Sequence, residues 1–287
     1  MLDIKLLRAD PEKARQAMGS RSGNYGPVLE QIFQKDAAYR AALAGIEELR
    51  SKRNEVSKKI QVAKASKDEA AAQAAMAEAN AAKEAVKARE ESTAALEREL
   101  NGLLMSVPNL PDPQVPKGGG SQDNKVVRED VSNRREPAFK PLDHHAIGEK
   151  LGILDFATAA KLSGARFALL KGQGARLERS IIQFMLDLHT SSHGYTEIFP
   201  PFLVTPETMT GTGQLPKFEE DLYKIASVPP MYLIPTAEVP LTNMFRGDLL
   251  KESDLPKKMT AYTVCFRQEA GSYGKDTRGL IRNHQFH

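Results

Sequence analysis

The chain has 287 residues, a formal net charge of +3 and a single cysteine, so it has room for two domains and a charge that permits an anionic partner without requiring one. One cysteine excludes a disulfide framework, and without a Cys/His cluster there is no zinc site to propose. The charged N-terminus differs from a signal peptide and no apolar run approaches the roughly 20 residues of a membrane span, so we expect a soluble cytoplasmic protein.

Residues 26–104 have the composition of long helices, rich in Ala, Glu, Lys and Arg, with no proline after Pro27. Larger apolar residues recur at threes, fours and sevens in each half, which predicts one stripe on each of two helices. The two stripes are Ile32, Tyr39, Leu43, Ile46, Leu49, Val56 and Ile60, and then Met76, Ala79, Val86, Thr93, Leu96, Leu100 and Leu103. Ser66 and Asp68 between them are candidate N-caps. We predict an antiparallel hairpin of two helices of about thirty residues each, on the order of 50 Å long.

The sequence leaves two interpretations of this hairpin open. It could be a dimerisation or spacer coiled coil, or an arm that reaches a distant anionic partner. The first helix carries more basic than acidic residues, a pattern that suits a phosphate backbone but also occurs on any solvated coiled coil. These basic residues are Arg40, Arg50, Lys52, Arg53, Lys58, Lys59 and Lys64.

A segment rich in proline and glycine follows the hairpin. Residues 106–124, SVPNLPDPQVPKGGGSQDN, contain four prolines and three consecutive glycines, which excludes a helix or a central strand. We therefore predict an arm at 1–105, a linker at 106–135 and a second domain at 136–287. Its predicted strands lie in ARFALL and HGYTEIF and at 222–225, 231–234, 259–266 and 280–286, with a helix from KGQGARLE onward. Strands without a regular alternation with helices predict an α+β domain with an antiparallel sheet.

The last residues, CFRQEAGSYGKDTRGLIRNHQFH, combine charge, glycine and an aromatic. If the two ends of this stretch pair as strands, Arg267 and Glu269 lie on one face of the first strand, and Arg282, His284 and Phe286 lie on one face of the second. An arginine fork suits a phosphate, a carboxylate suits an amino group and a phenyl face suits a purine. Two more cations, Lys275 and Arg278, lie in the intervening loop. The spacing predicts either a nucleotide site or a plain hairpin with a salt bridge and a core aromatic.

This closing stretch resembles motif 2 of class II aminoacyl-tRNA synthetases, in the form found in bacterial-type seryl-tRNA synthetases. Further matches follow the family order: the helical arm, SGARFALLKGQGARLERSIIQFMLDLH, HGYTEIFPPFLV as motif 1, GTGQLPKF and IPTAEVPLTNMF. The resemblance implies a class II antiparallel-sheet catalytic domain. It also implies activation of L-serine with ATP and Mg²⁺ to seryl-adenylate, and transfer of the seryl group to tRNA.

The resemblance assigns roles to individual residues. Arg267 would hold the α-phosphate, Gln268 and Glu269 would contact ATP, and Phe286 would stack on adenine. Arg282 would face the same site and meet phosphate or carboxylate, which makes Arg267 and Arg282 the expected catalytic residues.

Serine binding is implied for Thr236, Ala237 and Glu238 of IPTAEVP. Without the resemblance, this tripeptide indicates a strand-end cap. The arm would grip the long variable arm of serine tRNA, selenocysteine tRNA being a further possible substrate, and the enzyme would be a homodimer with Pro201 at its interface.

Other reactive side chains are predicted to have structural roles. His144, His145, His189 and His193 show no ligand spacing and indicate surface or capping positions. Cys265 precedes Arg267 in a predicted strand and is expected to be a small buried side chain.

The family continues beyond HQFH with distal serine-pocket residues and motif 3, which this sequence lacks. We therefore expect a C-terminally incomplete enzyme whose 287 residues have doubtful activity alone. One alternative is a non-catalytic tRNA-binding fragment, and another is a synthetase-like ligase that charges a carrier protein.

Overall fold

The structure is a computed structural model that describes residues 2–21, 23–66, 68–132, 135–270 and 278–287. The chain divides into two compact units, Met1–Asp130 and Val131–His287. The predicted loop cation Lys275 lies outside the described residues. The predicted segment bounds at 105 and 135 stay a prediction.

The first unit is helical, with α1 at Ile4–Ala9, α2 at Pro11–Gly19, α3 at Gly26–Ala65 and α4 at Glu69–Ser106. The predicted hairpin is confirmed as α3 and α4, with helices of 40 and 38 residues instead of about thirty. Asp68 is the N-cap of α4, because its carboxylate accepts from the Ala71 backbone N–H at 2.9 Å. Ser66 ends α3 instead, and its hydroxyl donates to the Val62 carbonyl at 3.1 Å.

The base of the hairpin is the core of this unit. Leu7 of α1, Met18 of α2, Leu29 of α3 and Leu104 of α4 are buried in one apolar cluster, so all four helices meet there. Asp36 of α3 is also buried, and its carboxylate lies 3.6 Å from Arg8 Nη1 and 3.0 Å from Arg40 Nε. Since Arg8 belongs to α1, this ion pair ties a short helix to the hairpin.

Further along the hairpin, the seam uses smaller side chains than the sequence predicted. Ala42 and Ala75 are buried, whereas Leu43 is 41% exposed and Met76 is 49% exposed. The prediction that Leu43 and Met76 lie on the buried stripes of the two helices was therefore wrong. Small residues let two helix backbones approach closely, and each larger neighbour then points outward. Val86, Thr93 and Leu100 are buried as predicted.

The second unit is mixed and confirms the α+β prediction. Its helices are α5 at His144–Lys150, α6 at Phe156–Ser163, α7 at Gln173–Ser192, α8 at Pro206–Gly211 and α9 at Glu238–Asn243. Its strands are β1 at Thr196–Glu197, β2 at Leu203–Val204, β3 at Lys224–Ile225, β4 at Met231–Leu233, β5 at Met259–Thr260, β6 at Cys265–Phe266 and β7 at Gln285–Phe286. Strands β2, β4 and β3 form an antiparallel sheet in that order, β6 pairs antiparallel with β7, and β1 pairs parallel with β5.

All the predicted strands are shorter in the structure, and three of them differ most in extent. Residues 259–266 form β5 and β6 with unpaired backbone between them, and ARFALL contributes only an isolated bridge between Leu154 and Leu170. Residues 280–284 form turns and irregular backbone, and only β7 is a strand. The reason is local, since Gly279 has a φ of +65° and the chain curls so that Leu280 N–H donates to His144 Nε2 at 2.9 Å. Within the described ranges, no helix is both long and apolar enough to cross a membrane.

Candidate active site

Strands β6 and β7 place Arg267 at the end of a paired segment. Cys265 pairs with Phe286, and the Arg267 N–H donates to the His284 carbonyl at 2.9 Å. The Arg267 Nε donates to the Pro235 carbonyl at 3.1 Å, just beyond β4. Its guanidinium carbon lies 5.0 Å from the centre of the Phe286 ring, which is a cation–π contact. Two independent contacts therefore fix this side chain.

Glu269 and Arg282 form an ion pair beside Arg267. The Arg282 Nη1 to Glu269 Oε2 distance is 2.8 Å, and the Glu269 side chain is only 18% exposed. Glu269 has a φ of +50°, a conformation that L-residues rarely adopt. Hydrogen bonds to Asp221 fix the backbone on either side of it, because the Gln268 N–H donates to the Asp221 carbonyl and the Ala270 N–H to its Oδ1, at 2.9 and 2.8 Å.

These three charged residues line one cavity of about 390 Å³. Its wall also includes Gln214 and Phe218, from the GTGQLPKF stretch that the resemblance placed near the pocket. The sequence-predicted Arg267, Glu269 and Arg282 are thus brought together. Gln268 is adjacent, but its side-chain amide donates to the Leu222 carbonyl at 2.8 Å.

The predicted serine residues lie elsewhere. Thr236 and Ala237 line a second, mostly apolar cavity of about 700 Å³, together with Phe286 and residues of α7. Glu238 is exposed at the first position of α9, and its N–H donates to Thr236 Oγ1 at 3.3 Å. Ala237 is the N-cap of α9 and makes no side-chain cap hydrogen bond, so the strand-end cap that the tripeptide alone indicated stays a prediction.

Arg278, the other predicted loop cation, does not join the Arg267 cavity. It lines a smaller cavity of about 290 Å³ with His145 and Arg166. His284, predicted to share a face with Arg282 and Phe286, packs its ring against Phe167, with centroids 5.4 Å apart. The predicted face of alternating side chains was wrong here because the backbone before β7 is not extended.

The remaining histidines and the cysteine contact protein groups. His144 accepts from Leu280, and the Nδ1 atoms of His189 and His193 lie 3.0 Å apart. Cys265 is buried, with its sulfur 3.2 Å from Thr263 Oγ1. Among the residues that the structure describes, no group of three or more His, Cys, Asp or Glu side chains is arranged to hold a metal.

Glu219 contacts both strands of the β3–β4 hairpin, through one ion pair and one hydrogen bond. Glu219 accepts hydrogen bonds from Lys224 Nζ and the Tyr232 hydroxyl, both at 2.9 Å, and these hold the pKa of the carboxyl below its usual range. Burial raises the pKa of Tyr232. Lys224 and Tyr232 lie opposite each other on the two strands, so their shared contact with Glu219 stabilises this strand register.

Three contact residues were missed by sequence reasoning: Asp221, Pro235 and Arg166. Asp221 and Pro235 hold the 267–270 stretch, and the Arg166 Nε donates to the Arg282 carbonyl at 3.1 Å. No local spacing signals them. Arg166 stands within SGARF, a stretch that carried the resemblance without an assigned role.

Comparison with known proteins places this geometry in a family. Residues 1–111 match a model of the seryl-tRNA synthetase N-terminal domain, and residues 223–287 match the class II tRNA synthetase core domain of the G, H, P, S and T group. A serine–tRNA ligase from Elusimicrobium minutum is 51% identical over 286 residues, which are 100% of this chain and 67% of that protein. The chain belongs to the seryl-tRNA synthetase family. The predicted resemblance is thereby confirmed.

Solved structures of seryl-tRNA synthetases share the fold. The Pyrococcus horikoshii enzyme, complexed with ATP, matches all of this chain and 68% of its own at a TM-score of 0.84 and 32% identity. The cytoplasmic enzyme of Naegleria fowleri, in complex with AMP, matches at 0.78 and 29% identity, over 64% of its length. This chain thus spans about two thirds of the length of the synthetases it matches.

Proposed function

We propose that this chain carries the ATP site and the tRNA arm of a serine–tRNA ligase. The reaction would join L-serine and ATP into seryl-adenylate and then pass the seryl group to serine tRNA. One observation carries the proposal: Arg267, Glu269 and Arg282 line a single cavity, with Arg267 in contact with Phe286. That cluster combines an anion site with an aromatic face, in a chain of the seryl-tRNA synthetase family.

The residues of this cluster account for the activation step. A carboxylate oxygen of serine attacks the α-phosphorus of ATP, a new O–P bond forms, and pyrophosphate leaves with the electrons of the bond to the α-phosphorus. Arg267, held by Pro235 and Phe286, stabilises the charge that grows on the α-phosphate, and Arg282 adds a second cation. Phe286 stacks on adenine. No general base is needed, because the nucleophile is already an anion.

Mg²⁺ carried on ATP is part of the proposal. Glu269 and Asp221 place carboxylates on the wall of the Arg267 cavity, and Mg²⁺ in nucleotide sites typically binds one or two carboxylates together with phosphate oxygens and water. These two residues would hold the ion against the phosphates, where it would neutralise phosphate charge. Thr236, Ala237 and Glu238 are the proposed serine contacts.

The helical unit is the proposed tRNA-binding arm. Arg40, Arg50 and Lys59 form ion pairs within it. Four other cations of α3 have no ion pair among the described residues, and they lie toward the far end of the hairpin. These four are Lys52, Arg53, Lys58 and Lys64. Exposed cations along a rod can follow an RNA backbone by shape and charge. A homodimer with Pro201 at its interface is also proposed.

The first experiment is ATP–pyrophosphate exchange on the purified chain with each of the twenty amino acids supplied singly. Exchange with serine alone supports the proposal. Binding of ATP should be measured in parallel by calorimetry. Exchange with another amino acid instead of serine contradicts the substrate assignment, and absence of ATP binding contradicts the site.

A second candidate function is tRNA binding without catalysis. It is favoured by the four α3 cations without an ion pair among the described residues, because they suit an RNA backbone and take no part in the activation step. Serine tRNA binding without exchange would identify it. Charge reversal of Lys58 and Lys64 should then weaken tRNA binding and leave ATP affinity unchanged. The matched control reverses Lys5 and Lys13 of the two short helices.

A further inference from the structure

Arg166 forms hydrogen bonds to the segment that carries Arg282 through both its side chain and its backbone. Its Nε donates to the Arg282 carbonyl at 3.1 Å, and its own carbonyl accepts from the His284 N–H at 2.9 Å. The two contacts fall on either side of Asn283. One residue 116 positions earlier therefore holds this turn at both ends.

The strained backbone of Arg166 indicates that the surrounding contacts hold this residue firmly in one conformation. Arg166 and Glu269 are the two non-glycine residues with positive φ within the described ranges, at +66° and +50°. L-residues adopt this region at a cost, and surrounding contacts must hold them there. The two strained residues lie at opposite ends of one chain of contacts, which runs from Arg166 through Arg282 to Glu269.

We propose that Arg166 is a positioning residue that fixes the 282–284 turn so that the Arg282 guanidinium meets Glu269 in the Arg267 cavity. Arg166 lines the smaller neighbouring cavity instead, so it acts on the site through Arg282. This inference rests on the proposed function in one respect, because it takes the Arg267 cavity as the place of the ATP phosphates.

The test compares Arg166→Asn and Arg166→Lys with the unmodified chain. Asn tolerates the left-handed backbone and lacks the Nε donor. We expect ATP affinity to fall roughly tenfold, as for the loss of a hydrogen bond that fixes a charged group, without a lower unfolding temperature. Arg166→Lys keeps the charge but lacks the planar guanidinium group, so its ATP affinity should fall by the same factor. Full affinity in Arg166→Lys would overturn the proposal, since charge alone would then suffice.

The matched control is Arg179→Asn, which removes the same charge from an exposed position of α7. A double-mutant cycle decides whether Arg166 acts through Arg282. In an Arg282→Lys background, Arg166→Asn should cost less than about twofold more in ATP affinity, because coupled residues are not additive. Additive losses would mean that Arg166 acts independently, and would overturn the proposal.

A readout without ATP separates this inference from the proposed function. Amide hydrogen exchange of residues 282–284 should be faster in Arg166→Asn than in Arg179→Asn, because one of the two fixed ends is released. If the unmodified chain binds no ATP, the proposed function fails. The rate of amide hydrogen exchange at residues 282–284 still tests the positioning role of Arg166. Unchanged exchange at these residues would overturn the positioning role.

Discussion

The helical unit, Met1–Asp130, is held together by many buried side chains, whereas the site in the second unit, Val131–His287, is built by a few polar contacts. In the first, α3 and α4 pack along a seam of buried residues such as Ile46, Val56 and Val86. In the second, a cavity of about 390 Å³ is lined by Arg267, whose side chain is fixed by two contacts, one with Pro235 and one with Phe286.

This difference predicts two patterns of sensitivity. Substitutions in the hairpin should change stability in proportion to the burial of the side chain, and should leave nucleotide binding unchanged. Substitutions around Arg267 should change nucleotide binding far more than stability. Each prediction below tests one side of that contrast.

Arg267→Lys should have the largest effect. Lysine keeps the charge but cannot donate to Pro235 and bind phosphate in the same fork. We expect pyrophosphate exchange to fall by about 10²–10³-fold, as for the removal of one donor aimed at developing charge, with weaker ATP binding and an unchanged unfolding midpoint. Arg246→Lys, at an exposed arginine beyond α9, is the control. Equal activity of the two variants would remove Arg267 from the site.

The sequence predicted the two units unequally well. The hairpin follows from short-range periodicity, so α3 and α4 were predicted. The seam was predicted only in part: Val86, Thr93 and Leu100 are buried as predicted, but whether Ala42 or Leu43 faces inward depends on how close the partner helix lies. Class II core elements were predicted from motifs, but strands of two or three residues such as β6 and β4 leave little periodicity to detect.

Local spacing also predicted the site only in part. Arg267, Glu269 and Arg282 were grouped by strand alternation, yet Arg282 reaches Glu269 from a turn rather than from a paired strand. Asp221 and Arg166 were missed because their contacts join residues 49 and 116 positions apart. Tertiary contacts at such separations leave no mark in local spacing.

Ile32→Ala tests the hairpin side of the comparison with the next largest effect. Ile32 is fully buried at the base of the helical unit, so the lost contacts and residual cavity should cost about 2–5 kcal/mol of unfolding free energy. Urea unfolding followed by far-UV circular dichroism measures it. Leu43→Ala is the matched control on the same helix, and its 41% exposure predicts a cost below about 1 kcal/mol. ATP affinity should not change in either variant.

Asp36→Asn should destabilise the same unit by a smaller amount. The Asp36 side chain is 4% exposed, whereas its partners Arg8 and Arg40 are 33% and 52% exposed and can rehydrate. We expect a cost of about 1–3 kcal/mol, below that of a fully buried pair. Glu99→Gln, which breaks the exposed Lys35–Glu99 pair, should cost at most about 1 kcal/mol. Equal costs for the two variants would show that burial of the carboxylate does not matter here.

Gly45→Ala should give the smallest change, and a stabilising one. Gly45 lies in the middle of α3, where alanine favours the helix by about 0.5–1 kcal/mol. An added Cβ would lie 3.3 Å from Arg89 Nη2, the far end of a flexible side chain, which can move aside. Gly102→Ala in α4 is the matched control, because nothing lies within 4 Å of its added Cβ. If Arg89 is held firmly over Gly45, the gain at Gly45 will be smaller than at Gly102. Destabilisation by Gly45→Ala would show that one contact in the hairpin is as strictly determined as those around Arg267, against the contrast drawn between the two units.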